Sequence, residues 1–173
     1  KKYKIVGDYL LVVGADPRKN VPAIIQAFGR LESRIKKQEL GMKLVVVGRL
    51  GEALPQDPHT ISVGYVPQEN LVALYSGAQA LVYTSLYEGF GLPILDAMQV
   101  GCPVVTSNIS SMPEVAGDAA ILVDPTSSQA IADGIEKVLS DRQKWIKKGL
   151  ARVKEFSWKK TAKQTLEVYK EAQ

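Results

Sequence analysis

The stretch Glu88-Gly89-Phe90-Gly91-Leu92-Pro93-Ile94-Leu95-Asp96-Ala97-Met98 places an acid, two glycines, a proline and a second acid within eleven residues. It follows an apolar run, Ala80 to Thr84, and leads into a helical pattern. Glycines let a backbone come close to a ligand, and N–H groups gathered at a helix start attract an anion such as phosphate. Carboxylates do not bind phosphate; they accept hydrogen bonds from hydroxyls. Donors for a diphosphate, flanked on both sides by hydroxyl acceptors, suit a nucleotide-sugar.

A second set of charged residues stands in Gly14-Ala15-Asp16-Pro17-Arg18-Lys19-Asn20. Asp16-Pro17 favours a turn, and Arg18 and Lys19 then close a strand-to-helix connection. Cations held there would meet a diphosphate, each charge-assisted contact contributing ~1.5–3 kcal/mol. As a merely exposed pair on a first helical turn they would oppose the helix dipole.

Blander roles stay open for several of these residues. Glu88 could cap nearby backbone N–H groups. Asp96, expected in the first turn of a helix opened by Pro93, is favoured there by the dipole alone. Ser110 and Ser111, before Met112-Pro113-Glu114, either line a sugar or cap the helix that follows, where Glu114 fits as a first-turn acid. His59 reads as a solvated histidine, and a single His makes no nucleophile relay. Cys102 reads as a buried structural thiol.

Elements that would position these groups are visible as alternation. Strand-like apolar runs are Tyr9–Val13, Leu44–Val47, Thr60–Val63, Ala80–Thr84, Pro103–Thr106 and Ala120–Val123. Helical periodicity covers Val21–Lys37, Gln68–Ser76, Pro93–Val100, Ser128–Leu139, Asp141–Phe156 and Trp158–Tyr169. Strand and helix in alternation predict an α/β fold, a Rossmann-like doubly wound parallel sheet with right-handed crossovers. In such sheets ligands lie beyond the carboxyl ends of the strands, where the strand order reverses. The loops starting at Gly14, Gly48 (Gly48-Arg49-Leu50-Gly51), Gly64, Leu86 and Ser107 should therefore share one rim. Gly51–Pro58 reads as a surface loop.

At 173 residues the chain fits one domain, with no internal repeat, low-complexity tract or linker. Its 46% hydrophobic and 23% charged residues are ordinary for a globular protein. One cysteine excludes an internal disulfide, and one histidine leaves no Cys/His metal cluster. A cytoplasmic location is expected, as no apolar run is long enough to span a bilayer. The net charge of +4 is unevenly spread. Arg142, Lys144, Lys147, Lys148, Arg152, Lys154, Lys159, Lys160 and Lys163 face only Asp141 and Glu155 as acids. That run reads as a solvated helix face, or as a surface making peripheral contact with a membrane. No nucleic-acid motif is present.

The whole pattern resembles the retaining group 1 glycosyltransferases (glycosyltransferase family 4), whose donor signature is Glu, seven residues, Glu. Glu88 supplies the first acid, and Asp96 stands for the second, one methylene shorter. Gly64-Tyr65-Val66, Leu74-Tyr75-Ser76-Gly77-Ala78, Gly101-Cys102-Pro103-Val104-Val105, Pro113-Glu114-Val115 and Phe156-Ser157-Trp158 follow in the expected order and spacing.

The resemblance implies the C-terminal, donor-binding half of a two-domain GT-B enzyme, transferring a hexose from a nucleoside-diphosphate sugar without a metal or cofactor. Around Pro17-Arg18-Lys19-Asn20 it leans towards family members that transfer mannose, hence GDP-mannose first and UDP-glucose next. It gives Glu88 the sugar hydroxyls and the catalytic place. Lys19 takes the diphosphate, joined by the backbone N–H groups of Gly89, Phe90, Gly91 and Leu92, with the Phe90 ring packing. Asp96 takes the ribose, and the backbone around Tyr65, Val66 and Pro67 takes the base. Ala15 stands where the family often has an arginine, leaving Arg18 or Arg49 as the substitute cation. The acceptor-binding N-terminal domain is absent, and a chain opening at Lys1 without a start-like sequence fits a fragment inactive alone. A non-catalytic nucleotide-binding module is the alternative. An oxidoreductase is disfavoured, since no Gly-x-Gly-x-x-Gly follows the first strand. A nucleotide-sugar epimerase shares the fold only by class.

Overall fold

The computed structural model describes residues 3, 5–34, 41–49 and 58–172. Its strands are β1 (Tyr9–Val13), β2 (Lys43–Val47), β3 (Thr60–Ser62), β4 (Ala80–Tyr83), β5 (Val104–Ser107) and β6 (Ile121–Val123). The helices are α1 (Val21–Arg34), α2 (Gln68–Gly77), α3 (Leu92–Gln99), α4 (Met112–Ala116), α5 (Ser128–Ser140), α6 (Arg142–Arg152) and α7 (Trp158–Glu171). Short 3-10 turns occupy Pro17–Lys19 and Val153–Glu155. Helix α1, expected to Lys37, is described as far as Arg34. Leu50 and most of the Gly51–Pro58 loop lie outside the described residues.

All strand pairs are parallel, in the order β3-β2-β1-β4-β5-β6. The chain winds outward from β1 to β3, then returns to lay β4 on the other side of β1. The loops leaving β1 and β4 consequently part in opposite directions, and a crevice opens between them.

Strands covered on both faces read as unbroken apolar runs, and side-chain alternation sends neighbours to opposite layers. Leu10, Val12, Ala80 and Val82 pack under α1 and α5, against Ile24, Phe28, Leu31, Ile131 and Ile135. Leu11, Leu81 and Tyr83 face the other layer, with Leu74, Tyr75, Ile94, Ala97, Met98 and Met112. Apolar residues of α1 recur at Val21, Ile24, Ile25, Phe28 and Leu31, the stripe a helix needs to bury one side. Helix α5 starts where the Ser127 hydroxyl accepts from the Ala130 N–H. It lies so close to the sheet that a Cβ at Gly134 would come within 2.6 Å of Val123 Cγ1.

Candidate functional site

Two loops meet at the crevice. After β1, Gly14 takes φ +90°, and the chain enters the Pro17–Lys19 turn, where the Asp16 carboxylate accepts from the Arg18 N–H. Asn20 follows in the left-handed conformation, and its side-chain amide donates to the carbonyls of Thr84 and Pro125. The Leu86 N–H donates to the Arg18 carbonyl. These bonds tie the loop after β1 to the loop after β4.

Lys19 is the result of that tie. Its stem runs over Gly14, where an added Cβ would lie 2.8 Å from Lys19 Cε. Its Nζ donates to Glu88 Oε1 at 2.6 Å and to Tyr83 Oη at 2.7 Å, and stands 4.7 Å from the centre of the Tyr83 ring. Both charged side chains are 14% exposed. Burial alone would lower the Lys19 pKa, but its bonds to Glu88 and Tyr83 outweigh burial and hold the ammonium above its ordinary value. For Glu88, burial pushes upward; Lys19, with Ser85 and Tyr83, outweighs it and holds the carboxyl below the usual range. The buried Ser85 Oγ itself makes no hydrogen bond among the described residues, so the pairing with Lys19 carries the shift.

The loop carrying Glu88 is stapled from the next loop along the rim. Ser110, left-handed at φ +57°, accepts from the Glu88 N–H at 3.2 Å, and its hydroxyl reaches the Glu88 carbonyl at 2.9 Å. Ser111 Oγ lies 3.1 Å from the Glu88 carbonyl and 2.8 Å from that of Phe90. Ser111 precedes α4 but makes no side-chain cap bond. The cap role is therefore not made by the Ser111 side chain, and both serines hold the acidic loop. Glu114 does fall in the first turn of α4.

Beyond Glu88 the backbone is free to donate. Among the described residues the N–H groups of Gly89, Phe90, Gly91 and Leu92 meet no protein acceptor. Gly91 caps α3 with φ +104°, a conformation that favours glycine, and the space above Gly89 is open. The Phe90 ring meets Phe156 edge-on at 6.1 Å.

The expected place of Asp96 needs correcting. Helix α3 begins at Leu92, with Pro93 second, so Asp96 lies beyond the first turn and gains little from the dipole. It lines a cavity of about 390 Å³ with Gln68, Val72, Tyr75, Gln99 and Val100. Burial raises its pKa, and among the described residues it has no hydrogen-bond or ion-pair partner. The buried Tyr75 hydroxyl beside it also lacks a partner. A carboxylate placed so can accept hydrogen bonds that no described residue supplies. Another hollow, of about 310 Å³, lies by Tyr9 and Leu74 at the opening end of β1, away from the rim.

The other predicted residues are less central. Arg18 is exposed and its Nε binds Asp16 at 3.1 Å, outside the Lys19–Glu88 cluster. Arg49 is exposed; it follows Gly48, which packs so tightly on Ala15 that a Cβ there would come within 2.8 Å of the alanine methyl. The Val66 side chain is buried, leaving only its backbone to meet a ligand, whereas Tyr65 is 84% exposed. His59 Nδ1 lies 3.7 Å from Glu32, and Cys102 is buried, its thiol pushed up to about 12.

Much of the basic C-terminal run is engaged. Arg142 donates to the carbonyls of Ala78 and Gln79, Lys148 pairs with Asp118, and Arg152 pairs with Glu155. No described helix is long and apolar enough to cross a membrane. Sequence reasoning missed Tyr83, Tyr75 and the stapling role of the serines. A phenol ending the aliphatic run Ala80-Leu81-Val82 was the available signal for the first.

A doubly wound parallel sheet with a crevice at the reversal of strand order defines a Rossmann-like α/β domain, and here that crevice holds a lysine–glutamate pair beside a glycine-rich helix start. Residues 7–152 match the family model described as glycosyl transferases group 1, and the chain belongs to that family. It is 40% identical to O-antigen chain mannosyltransferase B of Escherichia coli, over 98% of this chain and 48% of that protein. It is 29% identical to MMP alpha-(1->4)-mannosyltransferase of Mycolicibacterium hassiacum, over 94% of this chain and 43% of that one. The chain thus spans about half the length of these relatives. Sucrose-phosphate synthase from Thermosynechococcus elongatus superposes with a TM-score of 0.76 and 26% identity, over 95% of this chain and 45% of that one. The alpha,alpha-trehalose 6-phosphate synthase of Burkholderia multivorans, at TM-score 0.78 and 18% identity over 95% and 44% of the two chains, shares the GT-B fold.

Proposed function

We propose that this chain is the C-terminal, donor-binding domain of a retaining hexosyltransferase, and that it binds a nucleoside-diphosphate sugar without a metal. The observation that carries the reading is the Lys19–Glu88 pair at the crossover crevice, beside the free N–H groups of Gly89 to Leu92. A diphosphate draws the Lys19 ammonium and occupies those N–H groups. Glu88, released, accepts from the sugar hydroxyls and holds the sugar over the leaving group. Negative charge grows on the diphosphate as the sugar bond breaks, and fixed donors there stabilise the transition state. Asp96 accepts from the ribose, and the base lies against the backbone of residues 65–67.

Mannose is the preferred sugar, supported by relatives named as mannosyltransferases. The acceptor site and the closing half belong to the rest of the protein, so this domain alone transfers nothing. Sugar transfer measured with the full-length protein and with this chain tests the proposal. Turnover by the isolated chain, or none by the whole protein with any nucleotide-sugar, would contradict it; the second result favours a non-catalytic module.

The proposal includes peripheral contact with an anionic membrane surface. Helix α7 buries none of its residues, and Trp158, Ala162, Leu166 and Tyr169 share one side, with Lys159 and Lys163 next to it. Unchanged flotation with anionic vesicles after replacing those lysines would remove this part.

A further inference from the structure

Tyr83 ends β4 after Ala80, Leu81 and Val82. Its ring lies in the same apolar layer as Leu81, Ile94 and Met98 and is 2% exposed. Nothing in that packing asks for an oxygen, and a phenylalanine would fill the space. A buried phenol is kept where its hydroxyl has a partner; here the Lys19 ammonium donates to it at 2.7 Å, and the Glu88 carboxylate lies beside it. Lysine is a flexible side chain, so an ammonium aimed at the rim has to be held. Gly14 gives the stem its bed, and Tyr83 holds the head. Glu88 also holds it, but Glu88 sits on the ligand loop.

We propose that Tyr83 is a positioning residue of this site, its phenol oxygen anchoring the Lys19 ammonium while the lysine turns from Glu88 to a donor diphosphate. The inference rests on the diphosphate reading given above. An ammonium has three donors; one stays on Tyr83 while a second passes from Glu88 to a phosphate oxygen. The stem then need not move, and its rotamer freedom is already lost before binding. Tyr83 acts through Lys19 and touches neither phosphate nor sugar.

The test is calorimetric titration with GDP, UDP and ADP of the wild-type chain, Tyr83→Phe, Lys19→Met and the double variant, with thermal melting to confirm folding. Phenylalanine keeps the ring and its contact with the ammonium and removes only the hydroxyl. Tyr83→Phe should weaken nucleoside-diphosphate binding about tenfold. The double variant should bind no worse than Lys19→Met alone. Unchanged binding by Tyr83→Phe, or a full loss repeated on the Lys19→Met background, would overturn the inference. A second reading needs no nucleotide: the Lys19 ammonium protons, followed by 15N spectroscopy, should exchange slowly in the wild type and be lost to exchange in Tyr83→Phe. An ammonium signal unchanged by the substitution would overturn the anchor. A wild type that binds no nucleotide would remove the diphosphate reading, and the ammonium signal then decides the anchor by itself.

Discussion

Lys19 and Glu88 stand 69 positions apart in the chain, and the lysine Nζ donates to the carboxylate at 2.6 Å. The reversal of strand order between β1 and β4 makes this meeting, by bringing the two loops to the same crevice. On the proposed reading the pair also creates a competition, because a diphosphate bound there would take Lys19 from Glu88. Glu88→Ala is therefore expected to leave nucleoside-diphosphate binding unweakened, or to tighten it a few-fold, while abolishing transfer in the full-length enzyme. Calorimetry beside an activity assay checks this, and a large loss of nucleotide affinity in Glu88→Ala would contradict it.

The pair's contribution to stability has two pH limits. Glu88 is held below its ordinary value, so its share is present above the ordinary carboxylate range and lost as pH falls through the lowered value. Lys19 is held above its ordinary value, so its share is full below that value and lost as pH rises through the raised one. Neutral pH lies inside both limits. Lys19→Met should cost roughly 1–2 kcal/mol at pH 7, a partly buried pair being screened by solvent. The difference in melting temperature from wild type should shrink at strongly acid and at strongly alkaline pH. A difference independent of pH would show that packing of the lysine stem, and not its charge, is what counts.

Ser111→Ala removes a hydroxyl within 3.1 Å of two carbonyls of the Glu88–Phe90 segment. The fold should survive, since the residue caps nothing. The segment should loosen, with faster amide exchange at Gly89 and Gly91 and a roughly three- to tenfold weaker nucleoside diphosphate, for a loss of ~1 kcal/mol. Exchange rates equal to wild type would show that the loop holds its shape without the staple.

Gly134→Ala tests the packing that keeps α5 on the sheet. Alanine is the better helix former by ~1 kcal/mol, but its methyl would lie 2.6 Å from Val123 Cγ1 and 3.2 Å from Val105 Cγ1. Overpacking of this kind costs ~1–3 kcal/mol and should win. Chemical denaturation should show a destabilised chain with unchanged nucleotide affinity; a stabilised one would mean that the helix can lift off at no cost.

Much of this fold could be read in the sequence because a parallel sheet needs unbroken apolar strands. Tyr9–Val13 was bounded as it stands, and Thr60–Val63 and Ala80–Thr84 each ran one residue long. The shared rim followed from the alternation of elements, and the loops holding Lys19 and Glu88 followed from the rim. What escaped depends on contacts that no local pattern encodes. Lining a sugar and capping the next helix are the two roles that sequence offers the serines after β5, and neither points to the loop they touch, 21 to 23 positions away. Proline marked the start of α3 one residue late, since Leu92 is already helical, and this displaced the expected turn of Asp96. That Lys19 binds Glu88 directly depends on the ties between the two loops, contacts between residues far apart in the chain, and on the bed that Gly14 gives the lysine stem.

The most direct test of the central claim is titration of this chain with GDP, UDP and ADP in EDTA, with Lys19→Ala and Asp96→Ala alongside. The account predicts that one nucleoside diphosphate binds without metal, and that each substitution weakens it at least tenfold. Binding that requires a divalent cation, or that survives both substitutions unchanged, would contradict it.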